Sequence, residues 1–489
     1  MIASRGIPRW VILTAVLCAS GAALPWQVAV ASSAAAHAQT EPPPLDPVND
    51  TADDFFRSAR VHTFELTIAP EDFARMPPAN GRGGRGIGGW QGGSGTAGSG
   101  YAKVLATLRF DGQPWGPITL RYKGNSSYRG ARSDLKRSLK LDFNAGGQRH
   151  RFFGMSKLNL NNNAFDSSQM RETLAYDVFH QAEVPAPRTA YARVFISVAG
   201  EHEREYAGLF TVVEQVDQAF FMQRWGHKVG VLLKPEGLSG LPDLGSDWKS
   251  YATSYSAKVA TKAGDAQRMI AFVQFVDHSS DGDFAAHIGD YLDVDEFLRF
   301  LAAETVIVNS DSPLAMNHNY YLTIRPDTGK VVWIPWDMNM AFGGFRRGEV
   351  DLSIYRPSAP GMFPLADRVL ANPVLRERYR QIVRQMIEQN MSRPRMDALL
   401  HRLEGMIRSA AVLDPTSSAV QFEANFADHP RPAAPADADS GFAGFEFRDR
   451  NGPLLRPFVD DRIESVRLQL AGQRAGVPGR AGFGTGWGQ

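Results

Sequence analysis

Cysteine is almost missing from this chain: of 489 residues only Cys18 carries a thiol, and it stands near the N-terminus. Past that point no internal disulfide, cysteine nucleophile, zinc ribbon or iron–sulfur centre is available. Net charge is scarce too. The 53 Lys+Arg and 52 Asp+Glu leave +1, which argues against a protein built to coat nucleic acid or an anionic membrane. There is no Gly-x-Ser-x-Gly elbow and no His-Glu-x-x-His helix, and the histidines are scattered, so a secreted hydrolase has little support. After the first forty residues no apolar run is long enough to span a bilayer, which takes ~20 residues. The whole chain is 43% hydrophobic and 21% charged, a globular composition that supports a sizeable core.

The first 38 residues read as a leader. Arg5 and Arg9 precede the apolar run 10–24, and Ala36-His37-Ala38 offers a small-x-small cleavage site. Export across a bacterial inner membrane to a periplasmic or extracellular location follows, with no transmembrane span after cleavage; a retained anchor is the alternative. Residues 39–60 are expected to be a flexible lead-in and 61–470 the main domain. Eleven of the twenty residues 81–100 are glycine, as are seven of the nineteen residues 471–489. Such segments bury too little apolar surface to offset the entropy of ordering, so a loop insertion and a disordered tail are expected. The proline-rich stretch 428–440 reads as another loop.

The first half of the domain alternates. Val104, Ala106, Leu108 and Phe110, then Ile118, Leu120 and Tyr122, then Leu139, Leu141 and Phe143 recur at period two, and 191–198 and 209–216 read likewise. One helix interrupts them, with Met170, Leu174 and Val178 after the capping residues Asp166-Ser167-Ser168. The second half turns helical over 266–276, 294–308, 374–391 and 396–413. A strand-rich front and a helix-rich back predict an α+β fold with two lobes.

The chemistry concentrates between 309 and 337. A helix ends near Val308, and a polar loop then carries Asp311, Asn317, His318 and Asn319. Strands 320–325 and 330–336 follow around the turn Pro326-Asp-Thr-Gly329, and Asp337 comes just past the second strand. A hairpin returns its end to its start, so Asp337 is expected beside the Asp311 loop. Protein kinases use this order: a catalytic Asp and a metal-binding Asn in one loop, a short hairpin, then an Asp that holds magnesium. A cation for the phosphates is then needed. In Lys136-Arg-Ser-Leu-Lys140-Leu-Asp-Phe143, residues 136, 138, 140 and 142 are expected on one polar strand face. Lys123-Gly-Asn-Ser-Ser127 could present N–H groups and hydroxyls to phosphate or be an ordinary turn. Glu214 ends an apolar strand, either buried with a partner or facing the cleft.

Eight segments in order carry a family resemblance. They are Arg121-Tyr-Lys-Gly-Asn-Ser-Ser127, Lys136-Arg-Ser138, Gly208-Leu-Phe-Thr-Val-Val-Glu214, Leu233-Lys-Pro235, Tyr255-Ser-Ala-Lys258, Asn309-Ser-Asp311, His318-Asn-Tyr-Tyr321 and Ile334-Pro-Trp-Asp337. The chain resembles the CotH family, atypical kinases first associated with spore coat assembly. The resemblance implies a two-lobed protein-kinase-like fold and transfer of phosphate from ATP to protein serines, in a Ser-rich acceptor segment, with Mg²⁺ or Mn²⁺. By motif position it gives Asp311 the catalytic role and Asp337 the metal role, with Asn319 or Asn317 supporting. It places Lys136 or Lys140 at the phosphates, and Glu214 and Lys234 are the further candidates at the nucleotide. Where the family often has Trp-Asp-x-Asp after the hairpin, this chain has Asn339. The competing class is a non-catalytic secreted scaffold or pseudokinase with the same fold.

Overall fold

The computed structural model describes residues 51–78, 100–427 and 452–481, apart from positions 125, 132, 146–149, 236–239 and 346–348. The leader, nearly all of the glycine-rich stretch 81–100 and the 428–440 loop lie outside the described residues. The fold is α+β. Seven strands, β1 Val61–Ile68, β2 Val104–Phe110, β3 Gln113–Tyr122, β4 Leu139–Asp142, β5 Lys157–Asn161, β6 Thr189–Val198 and β7 His202–Glu214, close into a barrel of order β1-β2-β3-β4-β5-β7-β6. All neighbours are antiparallel except β1 and β6, which pair in parallel from Val61–Tyr191 to Ile68–Val198. The alternation read in the sequence is what fills it: Leu108, Leu120, Leu141, Leu158, Leu160 and Val212 are all buried in one cluster. Period two alone does not announce closure; the five strands expected there become seven because Val61–Ile68 and Lys157–Asn161 also join.

Two expectations about the ends are corrected. Thr51 opens the helix Ala52–Phe56 with a reciprocal capping box to Asp54, and Phe55 and Phe56 are buried with the barrel core. The lead-in is therefore ordered from Thr51, with burial of two adjacent phenylalanines and the reciprocal cap together offsetting chain entropy. At the other end, residues up to 481 form a strap along 351–358: Val477 N donates to Asp351 O, Ser353 N to Val477 O, and Gly479 N to Arg356 O. A Cβ at position 479 would stand 2.1 Å from the Pro357 carbonyl, so glycine here permits close approach rather than disorder.

A second core joins the helices to a three-stranded sheet, β8 Leu232–Leu233, β9 Tyr320–Ile324 and β10 Val331–Pro335, in the order β10-β9-β8. Every residue of β9 and β10 is buried. The expected helices are observed as Ala263–His278, Val294–Val306, Pro373–Gln385 and Arg393–Val412, the third continued by a π turn Met386–Asn390. The opposite face of the barrel meets this core: Tyr191 of β6 and Leu209 and Val213 of β7 belong to it, with Leu174 and Val178 of the helix Arg171–Gln181. Asp166 caps that helix by accepting from Arg171 N at 2.8 Å. Among the described residues no helix is long and apolar enough to cross a membrane.

Candidate functional site

The helix Val294–Val306 gives way at Val308, whose φ is 50°, and the chain enters the polar loop. The hairpin β9–β10 then brings it back: Trp336 N donates to Asn319 O at 3.0 Å. Asn319 Nδ2 donates to the Asp311 carbonyl at 2.7 Å and lies 3.3 Å from Asp311 Oδ2. Asp311 Oδ1 is bonded to His318 Nε2 at 2.7 Å. Asp311, Asn319 and Asp337 are thus linked through one short run of bonds. Asn317 is turned elsewhere, its amide 2.7 Å from Met362 Sδ and its oxygen 3.4 Å from Gly240 N. The segment after Asp337 is fixed as well: Phe342 N donates to Ile307 O at 2.6 Å, and the buried Arg171 guanidinium donates to Ala341 O and Phe342 O at 3.1 and 2.7 Å. Beneath the loop lies Glu304. It is fully buried, with neither carboxyl oxygen in hydrogen-bond geometry to a partner. Burial, with the Asp311 charge adding, pushes its pKa up to about 8 against the help of nearby Asn309 and Ser312.

Facing Asp337 is Lys123, at the end of a polar row set by strand register. Arg121, Lys140, Asn159 and Val213 are aligned across β3, β4, β5 and β7, so all four leave the same face of the sheet, away from the barrel interior. Lys123, two residues after Arg121, continues that face. Its Nζ donates to Asn161 Oδ1 at 2.6 Å, and Asn161 Nδ2 donates to Glu172 Oε2 at 2.8 Å. Burial lowers the Lys123 pKa, opposed by the charges of Asp337 and Glu172. Burial and then Asp337 push Glu172 up to about 8, and its Oε1 is buried without a partner. Tyr176, one turn further along the same helix, accepts from Asp337 N at 3.1 Å. Lys140 donates to Gln215 Oε1 at 2.5 Å. Burial, then Arg121, Lys123, Lys157 and Lys234, hold its pKa down to about 7. Lys234, just after β8, stands in the same positive field.

Two residues expected at the nucleotide stand apart. Strand β4 begins at Leu139, so Lys136 is not on a strand face with Lys140. It is buried in an ion pair with Asp414, which also accepts Leu209 N at 2.7 Å. Glu214 pairs with Leu158 across β5 and β7, which puts it on the barrel-interior side rather than with Lys140. There Arg188 and Arg224 hold it at 2.6 and 2.7 Å. Conversely, sequence reasoning passed over Lys123 as a charge and Asn161, Glu172 and Tyr176 altogether, and named His318 in the polar loop without giving it a role. The four-residue spacing of Glu172 and Tyr176, one face of a helix, was the available signal.

Residues 120–432, more than half of the chain, match the model of a family described as CotH kinase protein. The chain belongs to the CotH family. A relative is the inner spore coat protein H of Bacillus subtilis (strain 168), 26% identical over 297 residues that cover 59% of this chain and 78% of that protein. The CotH match begins in β3 and contains Lys123, Lys140, Asn161, Glu172, Lys234, Asp311, Asn319 and Asp337. It leaves out β1, β2 and the helix Leu455–Leu470.

The donor set bears on what the site can hold. Among the described residues no three His, Cys, Asp or Glu side chains gather as a ready-made metal cage. Mg²⁺ is characteristically held by one or two carboxylates together with substrate phosphates. Asp337, with Glu172 close by, Asn319 behind it and Lys123 opposite, fits an oxygen-seeking cation that arrives with a polyphosphate.

Proposed function

We propose that this CotH-family chain is an exported protein kinase that transfers the γ-phosphate of ATP to serine hydroxyls in a Ser-rich protein segment, using Mg²⁺ or Mn²⁺. The observation that carries the reading is the apposition of Lys123 to Asp337 and Glu172, with Lys140 and Lys234 in the same positive field and the Asp311 loop joined to Asp337 through Asn319. A barrel lobe bearing a lysine, a helix bearing a glutamate, and a second lobe bearing two loop carboxylates are the parts phosphoryl transfer needs. Lys140 and Lys234 would attract the phosphates and Lys123, steadied by Asn161 and Glu172, would orient them. Asp337 and Asn319 would hold the divalent ion, which when bound neutralises charge on the phosphates. Asp311 would accept the proton of the serine hydroxyl. Export is supported by the leader-like first 38 residues.

A non-catalytic secreted scaffold is the second reading. It is favoured by Asn339, which stands where the family often has an acid, and by Asn161 standing between Lys123 and Glu172 in place of a direct ion pair. Nucleotide binding by the purified chain, with and without Mn²⁺, followed by radiolabelled transfer, separates the two. Asp311→Ala should still bind ATP and lose transfer by ~10²–10⁴-fold, the usual worth of a positioned base. Equal incorporation by mutant and wild type would reject Asp311, and no nucleotide binding by wild type would favour the scaffold.

A further inference from the structure

The Asp311 loop is held in an unusual way. Asn317 and Asn319 both adopt left-handed backbone, φ 51° and 63°, a conformation that costs an L residue roughly 1–2 kcal/mol and that asparagine tolerates better than most. The two reversals flank one residue, His318. They turn Asn317 toward Met362 and Gly240 while His318 and Asn319 both turn toward Asp311. The Asn319 amide spends its shorter bond, 2.7 Å, on the Asp311 backbone carbonyl, and its contact with Oδ2 is 3.3 Å. The short contact on the carboxylate itself is therefore His318 Nε2 to Oδ1, 2.7 Å.

We infer that His318 is a positioning residue for Asp311: its ring fixes the carboxylate so that Oδ2 is the oxygen offered to an acceptor hydroxyl. A carboxylate accepts only, so the nitrogen facing it carries the proton and donates. That nitrogen is consequently not the base; it orients one. The terminal torsion of an aspartate is otherwise broad and roughly two-fold, and a base that swings is misplaced for much of its time. Both side chains are 18% exposed, shielded enough to hold a bond yet open to a substrate. The inference rests on the phosphotransfer reading of Asp311.

Three variants test it, His318→Ala, His318→Gln and His318→Asn, assayed for radiolabelled transfer and for Mn²⁺-dependent ATP affinity. The Gln amide nitrogen reaches about as far as Nε2, whereas that of Asn stops one bond short. His318→Ala and His318→Asn should lower kcat by ~10²-fold, the scale of a misplaced catalytic group, with KM for ATP and ATP affinity within about twofold of wild type. His318→Gln should recover activity to within about tenfold of wild type. A merely structural histidine would lower all parameters together and show no such Gln-over-Asn preference. Wild-type kcat in His318→Ala overturns the inference, as does a His318→Gln that folds, binds ATP and is as slow as His318→Ala. If His318→Ala does not fold, the Gln and Asn variants decide by the same criterion. Absence of transfer by wild type overturns the phosphotransfer reading and this inference together, whereas transfer by wild type with equal transfer by His318→Ala overturns the inference alone.

Discussion

Asp337 has φ 59°, a strained conformation for an L residue, reached at the end of a fully buried strand that leaves the chain no freedom to relax. Such strain is tolerated where it aims a side chain. Asp337→Asn preserves shape and removes charge, so it should abolish metal-dependent ATP binding while leaving the melting temperature near wild type; unchanged affinity in Mn²⁺ would contradict the assignment. Glu304 gives a prediction about pH. Its folded pKa is raised to about 8 from an ordinary 4.5, so between those values the folded state holds a proton that the unfolded state has released. Stability therefore falls as pH rises from about 4.5 to 8. Glu304→Gln escapes this penalty, and its melting temperature should gain on wild type progressively between pH 5 and pH 8. A gap that stays constant with pH would show the carboxyl to be ionised in the fold. The loop acids Asp311 and Asp337 were legible because a hairpin with a short turn must return its end to its start. Glu304 was not, since a lone acid at a helical position looks the same whether it faces water or core.

At the scale of elements, period-two alternation located five barrel strands and helical spacing located the helices, because burial on one face imposes those periods. Strand boundaries were less legible, and a difference of three residues changed a role: with β4 starting at Leu139, Lys136 and Lys140 part company. Lys140→Met should weaken ATP binding more than Lys140→Arg, since the lysine acts as a point charge, with little change in melting temperature. Lys136→Met should do the reverse. It strands the buried Asp414 carboxylate and should cost about 3–5 kcal/mol of stability, as breaking buried pairs does, with ATP affinity unchanged in the fraction that folds. Calorimetric melting and titration on the same two proteins check both halves. The glycine strap after Ala471 was misread for a different reason. Composition reports what a segment cannot bury, and this segment is held by backbone bonds that leave no trace in composition.

Across the whole molecule, ion pairs tie pieces that are distant in sequence. Glu214 of β7 sits between Arg188 and Arg224, and Arg188 also reaches Asp53 in the first helix. Burial alone would raise the Glu214 pKa, but the charges and bonds of Arg224 and Arg188 outweigh it and the net shift is downward. Its contribution is thus present above about pH 4.5 and lost as pH falls through the lowered folded value. Glu214→Gln should destabilise the protein by about 3 kcal/mol at pH 7, and less in acid, where the wild-type carboxyl protonates too; an equal loss at pH 7 and in strong acid would reject this account. The barrel's strand order has a consequence of another kind. In the circle β7 stands between β5 and β6, and β6 is the parallel neighbour of β1. During synthesis from the N-terminus, β1 emerges first, finds β2 early, and keeps its other edge open until β6 follows. The last gap shuts only when Glu214 has left the ribosome. Until β6 arrives the nascent chain shows an unpaired edge on the strand bearing Phe64, Leu66 and Ile68, the kind of edge that recruits other strands. The first strand of the barrel is therefore its most exposed in time, although its Phe64, Leu66 and Ile68 end in the barrel core.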